Sequence, residues 1–487
     1  MMKLTTFNKS DKLKLTLFAT LILISLCIAL FIVDLGIILP IAIIALSCYI
    51  AVQISFIVEP KTIVWVIIIY IFLYGIISRE VGGIPYGMVQ EGLLLIGWLT
   101  LIFTSYKFDW TRINNSITFL MAVWFFISIV EIINPAGASV QGWLQEIRAA
   151  ALYPFLFVPL VFLVMKNIKD LNFFLILIIG LSLFATLNGI KQLYIGPSPG
   201  EQRFLDGGAY MTHILYGKLR VFSFYSDAGQ FGASQAHLGL VCLVLALGPF
   251  KTWKRIALFV AGMLMIYGML ISGTRGALFA LLIGMFVAIF LSKQFKVILI
   301  GGFVVFSLIF FLKYTNIANG NYQIRRLRSA VDPKEASMNL RFMNQQKIGA
   351  YLKSRPFGGG LGVIGVWGEM YNKDKYLSAI QPDSYWVKVW AMYGIVGFTL
   401  WFGIMMYILG LCCGIVWNIE DQGLKIKAMA LTAGYAGILF CSYANEVINT
   451  APSSFVVYGS WIFILLCPKL DEELKEKAKA LNINNQA

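Results

Sequence analysis

The sequence predicts an all-α polytopic membrane protein, a bundle of about 12–14 transmembrane helices with one large external loop. Three observations carry that expectation. Of 487 residues, 59% are hydrophobic and only 13% charged, against roughly 25% charged in a soluble protein. Apolar runs of about 20 residues recur along the chain, each long enough to cross a hydrocarbon core of about 30 Å. The basic residues are distributed unevenly between alternate connections. Such spans must be helical, because lipid offers no partner to an exposed backbone amide or carbonyl.

Taken in order, the spans centre near residues 24, 47, 69, 97, 124, 157, 180, 240, 264, 284, 304, 405, 436 and 460. The first run, "LTLFATLILISLCIALFIV", follows a basic start. It is too long for a signal-peptide core and no small-x-small site follows, so a retained first span is expected. Residues 1–190 then hold the N-terminal spans. Residues 191–312 hold the central spans and a first external loop. The large external loop is 313–393, the C-terminal spans are 394–467, and 468–487 is a polar, alternately charged, helical cytoplasmic tail without a catalytic role.

With the N-terminus inside, the inner segments carry 20 of the 39 Lys and Arg, and the short outer connections carry three: Arg79, Arg148 and Arg275. This is the positive-inside asymmetry, with both termini cytoplasmic. The remaining 16 bases lie in two long outer segments, about 191–229 and 313–393, with only eight acids. Long loops escape the rule. These segments read either as solvated charged surface or as an anion-binding face. The seven cysteines sit within or beside apolar runs and form no CxxC pair, so they read as small hydrophobes. With two histidines, His213 and His237, a histidine-rich metal site is not expected, and no cofactor or nucleic-acid partner is either.

Ionisable residues at membrane depth mark function by default. Here they gather at the outer ends, as Glu131, Arg148, Arg275 and Glu446, with almost none in mid-span. Arg275, in "SGTRGAL", is either an interfacial arginine or part of an anion site. Arg220 precedes the aromatics Phe222, Phe224 and Tyr225, which can form an interfacial belt; Asp227 and Gln230 follow. In the second loop, about 339–353 reads as an amphipathic helix opened by Arg341. It breaks at Arg355-Pro356 and at "GGGLG", a flexible turn without the neighbours of a nucleotide motif. Asp383, in "QPDSYWVKVWAMYG", reads as a helix N-cap, an arginine partner or a proton acceptor.

Three motifs, "LRVFSFYSDAGQFGA", "SGTRGAL" and "LRFMNQQKIGAYLKSRPFGGGLG … QPDSYWVKVWAMYGIVG", together resemble the O-antigen ligase and polymerase superfamily over roughly 215–400. The resemblance implies a GT-C-like helical bundle. It implies metal-independent glycan transfer from a polyprenyl-diphosphate carrier on the outer face of the cytoplasmic membrane, to lipid A-core in ligases or to another carrier-linked repeat in polymerases. It passes donor-diphosphate binding to Arg220, Arg275 and Arg341, with Arg148 in addition. Guanidinium suits that role by its bidentate fork. The sequence departs where ligases carry His-Asn: here stand Asp383 and Ser384, and Asp383 becomes the candidate base for the acceptor hydroxyl. Trp367, Tyr385 and Trp386 are candidates for sugar contact. A multi-pass secondary transporter is the rival class; it calls for midplane charges on broken helices and for repeat symmetry, neither of which is visible in the sequence.

Overall fold

The computed structural model describes residues 58–82, 86–105, 108–317, 319–320, 322–329 and 336–484. The expected spans near 24 and 47, with Cys27 and Cys48, lie outside the described residues. The chain divides into two compact units, residues 1–67 with 91–108 and residues 68–90 with 109–487. The site described below lies within the second.

Helices dominate: α1 (Thr62–Glu80), α2 (Tyr86–Phe103), α3 (Ser116–Val130), α4 (Val140–Ile147), α5 (Tyr153–Val164), α6 (Ile168–Tyr194), α7 (Pro199–Phe204), α8 (Ala228–Ala246), α9 (Thr252–Ile271), α10 (Arg275–Ser292), α11 (Phe295–Tyr314), α12 (Tyr322–Arg328), α13 (Ala336–Leu352), α14 (Val366–Tyr371), α15 (Tyr385–Asn418), α16 (Gln422–Cys441) and α17 (Ser453–Asn484). The only strands among the described residues are a two-residue hairpin, Ile214–Leu215 against Lys218–Leu219. Among the described residues, eleven stretches are long and apolar enough to cross a membrane. They coincide one for one with expected spans, and α11 occupies the place of the span near 304. This is an integral membrane protein, all-α and polytopic.

Burial sets the order of the bundle. In α8, 89% of the membrane window is buried, against 22% in the stretch containing α3. The sequence of α8 explains its central place. It is rich in Gly, Ala and Ser, and small residues let helix backbones approach where lipid supplies no hydrophobic drive between helices. The α10–α16 contact works the same way: a Cβ on Gly437 would stand 2.5 Å from the Ala280 carbonyl, and one on Gly284 2.8 Å from that of Ala433.

Two long segments fold over one end of this bundle. Arg79 at the end of α1 fastens the first. Its guanidinium donates to the carbonyls of Ser223 (2.7 Å) and Tyr225 and lies over the rings of Phe204 and Phe222. Phe222, Phe224 and Tyr225 are core residues, each at most 2% exposed. The aromatics that could have formed an interfacial belt are therefore a packed plug, with the Arg79 guanidinium over Phe222.

The second segment is fastened by the glycine run. Helix α15 breaks at Gly394 (φ 66°, ψ −169°). The Gly359 and Gly360 amides bond the Ala391 and Met392 carbonyls, and the Val396 amide bonds the Pro356 carbonyl. A Cβ on Gly394 would fall 2.0 Å from the Pro356 oxygen. The expected flexible turn is thus a tight backbone clasp. Asn372 extends it, donating to the Gly362 carbonyl (2.9 Å) and accepting from the Ser139 amide at the start of α4 (2.7 Å).

Candidate functional site

The loop-bearing end brings arginines together around the turn 272–275. Arg220 donates to the Ser272 carbonyl through Nε (3.3 Å), to Thr274 Oγ1 (3.3 Å) and to the Thr212 carbonyl (3.0 Å). Arg326, from α12, donates through Nε to the Gly273 carbonyl (2.7 Å). Arg275 follows at the start of α10 and reaches Ser329 Oγ at 3.4 Å. Burial, reinforced by the Arg326 charge and opposed by Asp227, pulls the Arg220 pKa down to about 10. It remains a cation at neutral pH, in a place where an added anion would be welcome. Asp227 is committed to capping α8, accepting from the Gly229 and Gln230 amides.

Down α10, Phe279 and Ile283 lie one and two turns below Arg275, on the same face. They line a cavity of about 440 Å³ with Arg341, Phe342 and Gln345 of α13, Trp386 of α15, and Phe440, Tyr443 and Ala444. Arg341 is the cation among the lining residues of this otherwise largely apolar slot. Arg341 lies in the second turn of α13, which begins at Ala336 rather than near residue 339.

Asp383 pairs with Arg341, Oδ2 to Nε at 3.0 Å, and is 53% exposed. The helix N-cap is its neighbour: Ser384 Oγ accepts from the Val387 amide (3.3 Å). Asp383 is therefore neither the cap nor an unpaired acid. Of the three aromatic candidates, Tyr385 is 2% exposed and packs on Trp401, so it is a core residue rather than a sugar platform. Trp386 lines the slot while donating to the Leu439 carbonyl (3.0 Å), and Trp367 is half-buried on α14 near Tyr371. The described contacts of Arg148 are with Gln145 Oε1 (2.8 Å) and with Gly87 at the start of α2.

One charged cluster escaped the sequence reading. Lys388, buried in the first turn of α15, has Glu146 Oε2 at 3.0 Å and Glu446 Oε2 at 3.1 Å. Lys388 and Glu146 stand near the ends of their helices, which leaves the expectation of almost no ionisable residue in mid-span intact, but neither was singled out from the sequence. The signal was present: a lysine five residues past Asp383, inside an apolar helix. Burial without an ammonium would be costly for either glutamate, and the lysine offsets part of that cost. Arg326 was visible only as a member of a basic run, and Arg79 only as a base in a short connection.

Residues 260–402 match the O-antigen ligase family. The matched stretch contains Arg275, Arg326, Arg341, Asp383 and Lys388, and it stops short of Glu446. No curated protein matches the chain. The match supports the O-antigen ligase superfamily for this part of the chain, and with it a membrane-embedded, glycan-processing role.

Proposed function

We propose that the protein is an inverting membrane glycosyltransferase. It moves a glycan from a polyprenyl-diphosphate carrier to an acceptor sugar hydroxyl on the outer face of the cytoplasmic membrane, with both termini cytoplasmic. One observation supports this most: Arg341 lines an apolar slot whose α10 wall begins one turn below the arginine-bearing turn 272–275. That is the shape and charge complement of a diphosphate on a long hydrocarbon. Arg220, Arg275 and Arg341 would hold the diphosphate and neutralise it as it leaves. An arriving diphosphate would compete with Asp383 for Arg341 and so release the carboxylate to accept the acceptor's proton. The acceptor is lipid A-core if the protein acts as a ligase, and a carrier-linked repeat if it acts as a polymerase by the same chemistry.

The test is turnover of a purified lipid-linked glycan donor. Arg275→Ala is expected to lose about 100- to 1,000-fold in rate, and Asp383→Asn about 100- to 10,000-fold. Wild-type-like turnover by Asp383→Asn removes it from the base role. The broken helix α15 and buried Lys388 are also features of secondary transporters. Solute uptake into vesicles free of lipid-linked donor would favour that second reading.

A further inference from the structure

We propose that Glu446, held on the Lys388 ammonium, is a second proton-accepting carboxylate of the transfer site. The inference rests on the glycosyltransferase reading and adds a residue beyond the matched segment. Position is the first argument. Glu446 lies on the connection between α16 and α17, just past Tyr443 and Ala444, which line the slot with Arg341 and Trp386. Its neighbour Asn445 packs on Gly276, beside Arg275. Its own carbonyl accepts from the Gln230 side chain on α8. Glu446 thus sits between the arginine turn and the α15 start that carries Asp383.

Access is the second argument. The two glutamates differ: the Glu146 side chain is 2% exposed, that of Glu446 30%. Glu446 alone of the pair reaches solvent. Both carboxylates lie within hydrogen-bonding distance of the Lys388 ammonium, Glu146 at 3.0 Å and Glu446 at 3.1 Å.

Charge is the third. Two carboxylates share one ammonium, so the cluster carries one negative charge more than its cation balances. The neighbouring Glu146 carboxylate raises the proton affinity of Glu446. The groups facing Glu446 are Lys388 and Tyr385 on α15, Glu146 on α4 and Asp227 at the start of α8. Burial, then Glu146 and Asp227 against the lysine, holds the Glu446 carboxyl above the usual range. That makes it a better proton acceptor than an exposed glutamate, and the lysine keeps it from being permanently protonated.

In the step itself, the acceptor oxygen bonds to the anomeric carbon. The bond from that carbon to the phosphate oxygen breaks, and its electron pair leaves on the diphosphate. The hydroxyl proton goes to the Glu446 carboxylate, giving the neutral acid, while Lys388 stays charged. Asp383 and Glu446 are thus alternative acceptors of that one proton: Glu446 takes it wherever Asp383 stays engaged by Arg341.

The experiment is the pH dependence of kcat/KM for lipid-linked donor turnover in nanodiscs, for wild type, Glu446→Gln, Glu446→Asp, Glu146→Gln and Asp383→Asn. Glu446→Gln should lose at least about 100-fold in kcat, with Glu446→Asp recovering part of it. Glu146→Gln removes the neighbouring negative charge, so the acid limb should move to lower pH. A Glu446→Gln enzyme with wild-type kcat, or an unmoved acid limb in an active Glu146→Gln enzyme, overturns the proposal. The glycosyltransferase reading fails separately, if wild type does not consume the donor.

Discussion

At the residue scale, the site contrasts two kinds of acid. Asp383 is half exposed and its bond to Arg341 is worth about 0–1 kcal/mol to the fold. Glu201 is the opposite. It is buried and accepts from Asn188 (3.1 Å), Lys191 (3.0 Å), Gln192 (2.7 Å) and the Ser198 amide (2.7 Å). Burial alone would raise its pKa, but these donors together hold it below the ordinary glutamate value. Its stabilisation is therefore present above that ordinary value and is lost as pH falls through the folded one. Thermal melts from pH 7 to pH 3 should show Glu201→Gln lowering stability at neutral pH by about 1–3 kcal/mol, with a flatter acid limb than wild type. Equal slopes would mean the carboxylate is not the source. The sequence made Arg275 and Asp383 legible because each breaks an apolar pattern next to a helix start, and Arg341 through the motif that carries it. Lys388 was not legible as a site residue, because its partners come from α4 and from the connection after α16, and only folding reveals that pairing.

At the element scale, helix α15 is two helices. Its 34 residues would reach about 51 Å unbroken, well beyond a bilayer core. The break at Gly394 leaves 395–418 to span and sets 385–393 aside for the site. Gly394→Ala is expected to cost on the order of 1–3 kcal/mol from the backbone conformation alone, before the clash with the Pro356 carbonyl. It should lower Tm and turnover together. A substitution that leaves Tm unchanged would show that the clasp is looser than its geometry. "GGGLG" was legible as a turn, since Gly-rich runs permit positive φ. Its partner was not, because backbone pairing leaves no mark on side-chain pattern.

At the scale of the whole molecule, the spans were the most legible feature. Hydrocarbon imposes a minimum apolar length on every crossing, and that constraint is written continuously in the sequence. Which helix sits at the centre was less so. The small residues of α8 signal close packing, but hydropathy alone ranks it no deeper than its neighbours. The Lys/Arg asymmetry predicts sidedness: reporters fused after Gln294 and after Ala487 should read the same side of the membrane, and one inserted after Asp374 the other. Agreement of all three would overturn the topology. The break at Gly394 has one more consequence, for how such a chain tolerates change. A continuous helix would turn any residue inserted into the membrane span into a rotation of about 100° for everything above it. With the upper segment gripped by 356–360 instead, the span beneath can lengthen or shorten with bilayer thickness while the chemistry keeps its orientation.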